Sequence, residues 1–559
     1  MNSFSFGLGR KKFYLSASQL FYFSSFLCFF FAYLASERKF VDFFLPAAWY
    51  FFSFQALQSL FTLLRAPKKI TLIGYFLLIL IFFLDFNLRA FLETNWGKFV
   101  PYSTFFLASL ETNPAEASEF FHFYGKSVAL FSFFFLASTV FLCWLRWKLY
   151  TSLSQSQSTF KKKFIWVGVW VLLHFQPHTN AEPFLFYREL GGEFYQNYQV
   201  LKNYQQMLLK NAALLSGLHV SYEGEKAKNT VIWVIGESST SLNWQIYGYP
   251  RPTNPLLKER MKKNPQNYWV FQNVFASHAS TALMLRSFLT LSNRHNENLF
   301  ETSADLVSIA KAAGYKVFWF SNHYNIGIHN NYAASVANLA NEVFFSSSSN
   351  SEDAKQRFDV VLLPFMQKAL KDSADKKFII FHIFGSHMVY KERYPSDFSY
   401  FDASQDQISK KMKALGREES VIVDRNTYDN SILYTDWILD HFLTDIQAEE
   451  KEPRAFLYLS NHGEEVGHIS NRVGHANDTT AGVKVPLVVW ANSLFPPLNK
   501  PPSINKEKRE KEMVFSDDIE QSLLHLLQIK IDLYDPKRDI FNDQYLAPTQ
   551  PPIKNLSVH

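Results

Sequence analysis

The chain has 559 residues, more than one hydrophobic core accommodates, so two or more domains are expected. Its 58 Phe residues and 48% apolar content coexist with a mean hydropathy near zero, so a very apolar part must be averaged with an ordinary soluble one. The formal charge of +6 comes without any basic block interleaved with aromatics, which sets nucleic-acid binding aside, and the two cysteines, Cys28 and Cys143, lie in apolar runs, which excludes disulfides and cysteine metal ligands from the polar part.

In chain order, five segments approach the roughly 20 apolar residues needed to cross a ~30 Å hydrocarbon core: 18–35, 41–64, 70–90, 126–146 and 162–178. "GRKK" (9–12) before the first also fits a cleaved signal peptide. Four further spans favour a retained anchor. The basic stretches "GRKK", "RAPKK" (65–69) and "LRWK…FKKKF" (145–164) fall on one side of a five-span arrangement, which puts the N-terminus in the cytoplasm. Everything after about 180 then lies outside, in the periplasm of a Gram-negative cell. The expected organisation is a five-helix transmembrane domain (1–180), a surface amphipathic helix with a linker (181–228, the helix at 188–214), a soluble domain (229–547) and a tail (548–559).

Strand-like runs follow at 229–236, 315–322, 377–385, 454–460 and 483–491, with helical patterns between them, among them 304–314 and 430–443. Near-continuous apolar strands alternating with helices predict an α/β domain whose mostly parallel sheet is covered on both faces. The Pro- and Lys-rich stretch 496–512 reads as a surface loop.

Polar residues collect where these strands end. "VIGESST" delivers Glu237, "FGSH" delivers His387, and "LYLSNHGEEVGH" (457–468) delivers Asn461 and His462, with His475 in the next loop. "FQNVFASHASTALMLRSFLTL" (271–291) reads as strand, turn and helix, with Ser280 and Thr281 at the helix start. Each has a plain alternative: a helix N-cap for Ser280 and Thr281, a cap for Glu237, a satisfied core residue for each His. Together, at the carboxyl ends of one sheet, they suit a metal-activated hydroxyl nucleophile acting on a phosphoryl group. His387 and His475 would hold phosphate oxygens or protonate the leaving group.

These segments, with "VIGESST…NWQIYGYPRPTNP" (234–255), "YDNSILYTD" (428–436), "SNHGEE", "LETNPAEASEFF" (110–121) and "AAGYKVFWFSN" (312–322), resemble the phosphoethanolamine transferases of Gram-negative inner membranes, closest to the branch that decorates the lipopolysaccharide core. The resemblance implies a sulfatase/alkaline-phosphatase fold and a zinc-dependent two-step transfer. Phosphatidylethanolamine would be the donor and a lipopolysaccharide core or lipid A the acceptor, in a multi-pass protein expected to be a monomer. By position, Thr281 matches the nucleophile, other branches placing it where this chain has Ala279. Glu237, Thr281, Asn461 and His462 match metal ligands, and His387, His475, Asn322 and Glu116 match substrate-side residues, with His468 competing for the role of His475. Asn461 departs from the family's Asp and brings no charge. Two alternatives stay open: a weak or inactive relative that binds lipid or a partner, and a phosphoglycerol transferase or other enzyme of the superfamily.

Overall fold

The computed structural model describes residues 3–8, 11–34, 40–96, 114–150, 164–168, 213–225, 228–297, 299–325, 332–348, 358–402, 406–448, 451–499 and 504–551. The chain divides into two compact units, one N-terminal and helical, the other C-terminal and built on a sheet.

The N-terminal unit contains α1 (Ala17–Leu34), α2 (Phe40–Leu63), α3 (Lys68–Trp96) and, from Phe121 on, α4 (Pro114–Lys148). Among the described residues, three helical stretches are long and apolar enough to cross a membrane: Ala17–Leu34, Lys68–Trp96 and Phe120–Lys148. The segment expected at 41–64 is α2, a 24-residue helix with an internal Pro46, and it is not among these three stretches. Of the segment expected at 162–178 only 164–168 is described, as helix, and the surface helix expected at 188–214 lies almost wholly outside the described residues. The unit packs through aromatic rings: Phe29 stacks on Phe83 at 4.4 Å and Phe54 on Tyr75 at 4.7 Å. Within α3, Asp85 and Arg89, both buried, form an ion pair at 2.8 Å across one helical turn.

The C-terminal unit holds a seven-stranded sheet of β1 (Asn229–Gly236), β2 (Tyr268–Phe271), β3 (Lys316–Asn325), β4 (Glu342–Ser348), β5 (Lys376–His382), β6 (Arg454–Ser460) and β7 (Leu487–Ala491). The spatial order is β2-β7-β6-β1-β5-β3-β4. Pairings from β6 through β4 are parallel, whereas β7 runs antiparallel to both neighbours, so the sheet is mixed. β1 and β6 are buried at every residue, as strands covered on both faces should be. Trp233 of β1 lies in the core parallel to Phe378 of β5, with ring centroids 6.3 Å apart. The expected strand at 483–491 begins only at Leu487, because Thr480–Val483 forms a helical turn capped by the Thr479 hydroxyl. The stretch 496–512, expected as loop, contains the helix Lys506–Lys511, which Asn505 caps by accepting from the Lys508 amide.

Three helices matter for the site: α5 (Thr281–Leu289), α6 (Leu306–Ala312) and the 29-residue α7 (Glu419–Gln447). α5 and α6 contribute Met284, Leu285, Phe288, Val307 and Ile309 to the principal core. α7 is unusual in burying a polar face. Its Asp429, fully buried, takes hydrogen bonds from Arg251, Asn243 and Tyr249 at 2.6, 2.6 and 2.8 Å. Tyr428 spans the turn after β1, its hydroxyl donating to the Ser238 carbonyl at 2.7 Å and accepting from the Thr240 amide at 2.8 Å.

Candidate active site

Sheet register determines what meets what. Ser460 of β6 pairs with Gly236 of β1, and His382 pairs with both Ile235 of β1 and Ser321 of β3. Three neighbouring parallel strands, β6, β1 and β5, thus end within a residue of one level, and Asn461, Glu237 and Ile383 after them emerge side by side, with Asn322 beside them where β3 runs on to Asn325. Such an edge of an open α/β sheet is where ligand crevices form.

Glu237, Thr281 and His462 converge there. Thr281 Oγ1 lies 3.0 Å from Glu237 Oε1 and 3.2 Å from His462 Nε2, and the latter two atoms are 3.2 Å apart. His462 Nδ1 donates to its neighbour's carbonyl, Gly463 O, at 2.8 Å, which turns Nε2 toward the other two groups. Three ligand atoms on a triangle with these edges match the spacing of about 3.3 Å expected around a tetrahedral zinc with bonds of about 2.0–2.1 Å. Both Glu237 and His462 are fully buried. Burial pushes the Glu237 carboxyl up, but the hydrogen bond and charge of His462, helped by His387, outweigh it and hold the group well below the usual carboxylate range. Burial likewise pulls the His462 imidazole down, and Glu237 more than reverses it.

Thr281 occupies the first turn of α5, yet it is not the cap. Ser280 has the extended backbone of an N-cap and makes no side-chain cap bond, while the Thr281 hydroxyl points into the triad. The capping account of this pair therefore does not describe the observed contacts. The Ala279 amide donates to Asn477 Oδ1 at 2.6 Å, anchoring the loop that precedes the threonine.

Asn461 presents its amide nitrogen to the triad. Nδ2 donates to Glu237 Oε2 at 2.6 Å, while Oδ1 accepts from the backbone amides of Ser238 and His462 at 3.1 and 2.7 Å. Ligation of a metal through Oδ1 would require the carbonyl to give up these bonds.

The remaining predicted residues surround this centre. His475 Nδ1 is 2.9 Å from Glu464 Oε2, its ring lies 4.5 Å from that of His462, and Glu464 Oε1 accepts from the Tyr390 hydroxyl at 2.8 Å. His462, Glu464 and His475 offer ligand atoms close enough to hold a metal ion, as do Glu237, His323 and His382. His387 sits on the loop after β5, its ring 5.1 Å from that of Phe384. Asn322 donates to Asp359 at 2.8 Å, and Asp359 in turn accepts from the amides of Phe384 and Gly385, so Asn322 helps fix the loop that carries His387. His468 faces elsewhere, its Nε2 2.9 Å from Asn243 Oδ1. Glu116 lies in the first turn of α4, in the part of that helix that groups with the sheet-bearing unit, and its side chain is outside the described residues. The sequence pattern left His323, His382, Asp359 and Tyr390 unmarked, and it set Glu464 in the polar cluster after the strand at 454–460 without a role. The two histidines were legible as polar interruptions at the ends of apolar strands.

The family model described as Sulfatase matches residues 229–529, more than half of the chain, and the chain belongs to the sulfatase family. It is 31% identical over 386 residues to phosphoethanolamine transferase EptC of Escherichia coli strain K12, covering 66% of this chain and 63% of that protein. Phosphoethanolamine transferase CptA of Salmonella typhimurium is 29% identical with the same coverage. The match thus spans just under two thirds of these relatives' length. The C-terminal periplasmic domain of EptC from Escherichia coli, solved in complex with Zn, superposes with a TM-score of 0.55 at 28% identity, covering 61% of this chain and 94% of that one. The integral membrane lipooligosaccharide phosphoethanolamine transferase A of Neisseria meningitidis gives a TM-score of 0.59 over 94% of this chain and 97% of its own, and at 18% identity this likeness speaks for the fold alone.

Proposed function

We propose that the protein is an inner-membrane phosphoethanolamine transferase that moves phosphoethanolamine from phosphatidylethanolamine to a lipopolysaccharide acceptor, core or lipid A, through Thr281. The observation that carries this reading is the Thr281 hydroxyl held 3.0 Å from Glu237 and 3.2 Å from His462 at the carboxyl edge of the sheet. The named relatives are phosphoethanolamine transferases, which supports the substrate class. In this reading the membrane unit has five spans with the N-terminus in the cytoplasm, and the unit beginning near residue 229 is periplasmic.

Thr281 Oγ1 attacks the donor phosphorus as its proton leaves through the Glu237 carboxylate that accepts its hydrogen bond, the phosphorus–oxygen bond to diacylglycerol breaks, and His387 or His475 gives the leaving oxygen its proton. An acceptor hydroxyl then loses its proton to the same histidine and attacks the phosphothreonine, the bond to Thr281 breaks, and Thr281 recovers its proton from Glu237. Glu237, Thr281 and His462 would hold a zinc ion, with Asn461 joining if its carbonyl turned inward. Bound zinc would supply charge neutralisation at the phosphate and a lowered pKa at the threonine. Asn322 orients the His387 loop through Asp359, and Glu116 is assigned to substrate binding from the outer segment. A catalytically weak relative is the second reading, favoured by the Asn461 amide nitrogen facing Glu237.

The test uses full-length protein in detergent with a fluorescent phosphatidylethanolamine. Diacylglycerol release that needs both zinc and Thr281 supports the proposal. Equal release by Thr281→Ala would overturn the assignment of the nucleophile, and no release with any divalent metal would favour the second reading.

A further inference from the structure

Two imidazoles beside Glu237 have no task in the transfer described above. His323 lies near the end of β3 and His382 ends β5. Their rings stack with centroids 3.8 Å apart and planes within 13°, and Phe384 stacks on His323 at 4.8 Å. One ring nitrogen of each and one carboxylate oxygen of Glu237 lie within 4.8 Å of one another.

The proton positions prepare these rings as ligands. His323 Nε2 is 2.9 Å from the carbonyl of Ile383 and must carry the proton to donate there, which leaves the lone pair on Nδ1. A metal-ligating histidine is commonly held in this way, its other N–H on a backbone carbonyl. His382 Nδ1 lies 3.5 Å from the Ser321 hydroxyl, while its Nε2 is buried with no hydrogen-bond partner among the described residues. Ring stacking does nothing for that nitrogen, and a buried polar atom left unsatisfied is unfavourable. Glu237 has capacity to spare as well. Its Oε1 is approached by Ser238, Thr281 and His462, whereas among the described residues Oε2 takes the Asn461 amide alone, and each carboxylate oxygen has two lone pairs.

We propose that Glu237, His323 and His382 form a second divalent-metal site of the zinc class, sharing the Glu237 carboxylate with the Thr281–His462 triad. Two imidazoles and one carboxylate suit zinc and not the oxygen-seeking magnesium or calcium. Three protein ligands leave a fourth position open to water or a phosphate oxygen, as in zinc sites that act on substrates. Ligand atoms around zinc sit about 3.3 Å apart, so the group closes by an ångström or so on binding, a movement that the half-buried His323 can supply by rotating. The site does not depend on the transferase reading, because bound metal can be counted whether or not any group is transferred.

The experiment counts zinc per chain in full-length protein that has been stripped with chelator, reloaded with zinc chloride and dialysed. His323→Phe preserves the ring stack and removes the ligand nitrogen, and His323→Gln and His382→Gln are made alongside, each checked for an unchanged far-UV spectrum. We expect each folded variant to carry one zinc fewer than its parent, and His462→Ala combined with His323→Phe to carry one fewer than His462→Ala alone. Unchanged zinc content in His323→Phe, in either background, overturns the proposal.

Discussion

The amide nitrogen of Asn461 lies 2.6 Å from Glu237 Oε2, so the residue that departs from the family's acid makes a direct hydrogen bond to the carboxylate at the centre of the site. An aspartate here would set two carboxylates against each other with both buried, a contact that is favourable only with a cation or a proton between them. Asn461→Asp is therefore expected to lower the melting temperature of chelator-treated protein and to raise zinc affinity. Melting curves with and without zinc check this. An aspartate variant as stable as the parent without metal would show that the 2.6 Å contact does not stabilise the site.

Thr281→Ala removes a hydroxyl bonded to a buried carboxylate but no helix cap. Hydrogen bonds to charged groups contribute about 1.5–3 kcal/mol, so the variant should stay folded with a modestly lower melting temperature. Diacylglycerol release should vanish in Thr281→Ala and persist in part in Thr281→Ser, as a thin-layer assay of the lipid products would read.

Gly385 adopts a left-handed backbone, with φ at +54°, and a Cβ there would come 2.9 Å from the Glu237 carbonyl oxygen. Gly385→Ala should cost about 1–2 kcal/mol for the backbone alone. The larger effect is expected on activity, since the loop that must shift carries His387. Activity and melting temperature measured on the same preparation separate the two.

Arg251 joins the loop after β1 to α7, bonding Asp429, Asn426, Ser409 and Asp406. Arg251→Met leaves Asp429 buried without its countercharge, a loss of about 3–5 kcal/mol for pairs of this kind. Adding Asp429→Leu should restore part of the melting temperature, because the cost lies chiefly in the orphaned carboxylate.

His525 Nδ1 lies 2.6 Å from the buried carboxylate of Asp539. Burial pulls the imidazole down, but Asp539 outweighs it and the net shift is upward. A base raised in the folded state contributes stability that is fully present below its unfolded value, near 6.5, and is lost as pH rises through the folded value. His525→Gln should flatten that part of the stability profile, which melting curves between pH 5 and 9 would reveal.

Much of this was legible in the sequence where burial is complete. β1 and β6 begin and end where their apolar runs do, because both faces are covered and nothing polar intrudes until the strand stops. The reversed direction of β7 was not legible, since a strand covered on both faces reads the same either way. The two edge strands, β2 and β4, were missed, and α7 extends well before residue 430 because its first half buries Arg425, Asn426 and Asp429, which break the apolar period. Glu237, Thr281 and His462 come together as the strand ends suggested. The direction of the Asn461 amide could not be read from residue types, because it is set by the backbone amides of Ser238 and His462 that its oxygen serves.

The Asp85–Arg89 pair gives α3 a property beyond its length. A charged side chain at the centre of a membrane helix costs about 2.5–3.5 kcal/mol on insertion scales. Here two opposite charges one turn apart enter together, and the pair adds no net charge to the apolar stretch around it. Losing Asp85 would do more than expose an arginine. In the proposed arrangement with a cytoplasmic N-terminus, it would place a lone positive charge in the half of α3 that leads to Trp96, against the sidedness expected from "RAPKK" at the other end, and the helix would carry conflicting instructions about which way to face.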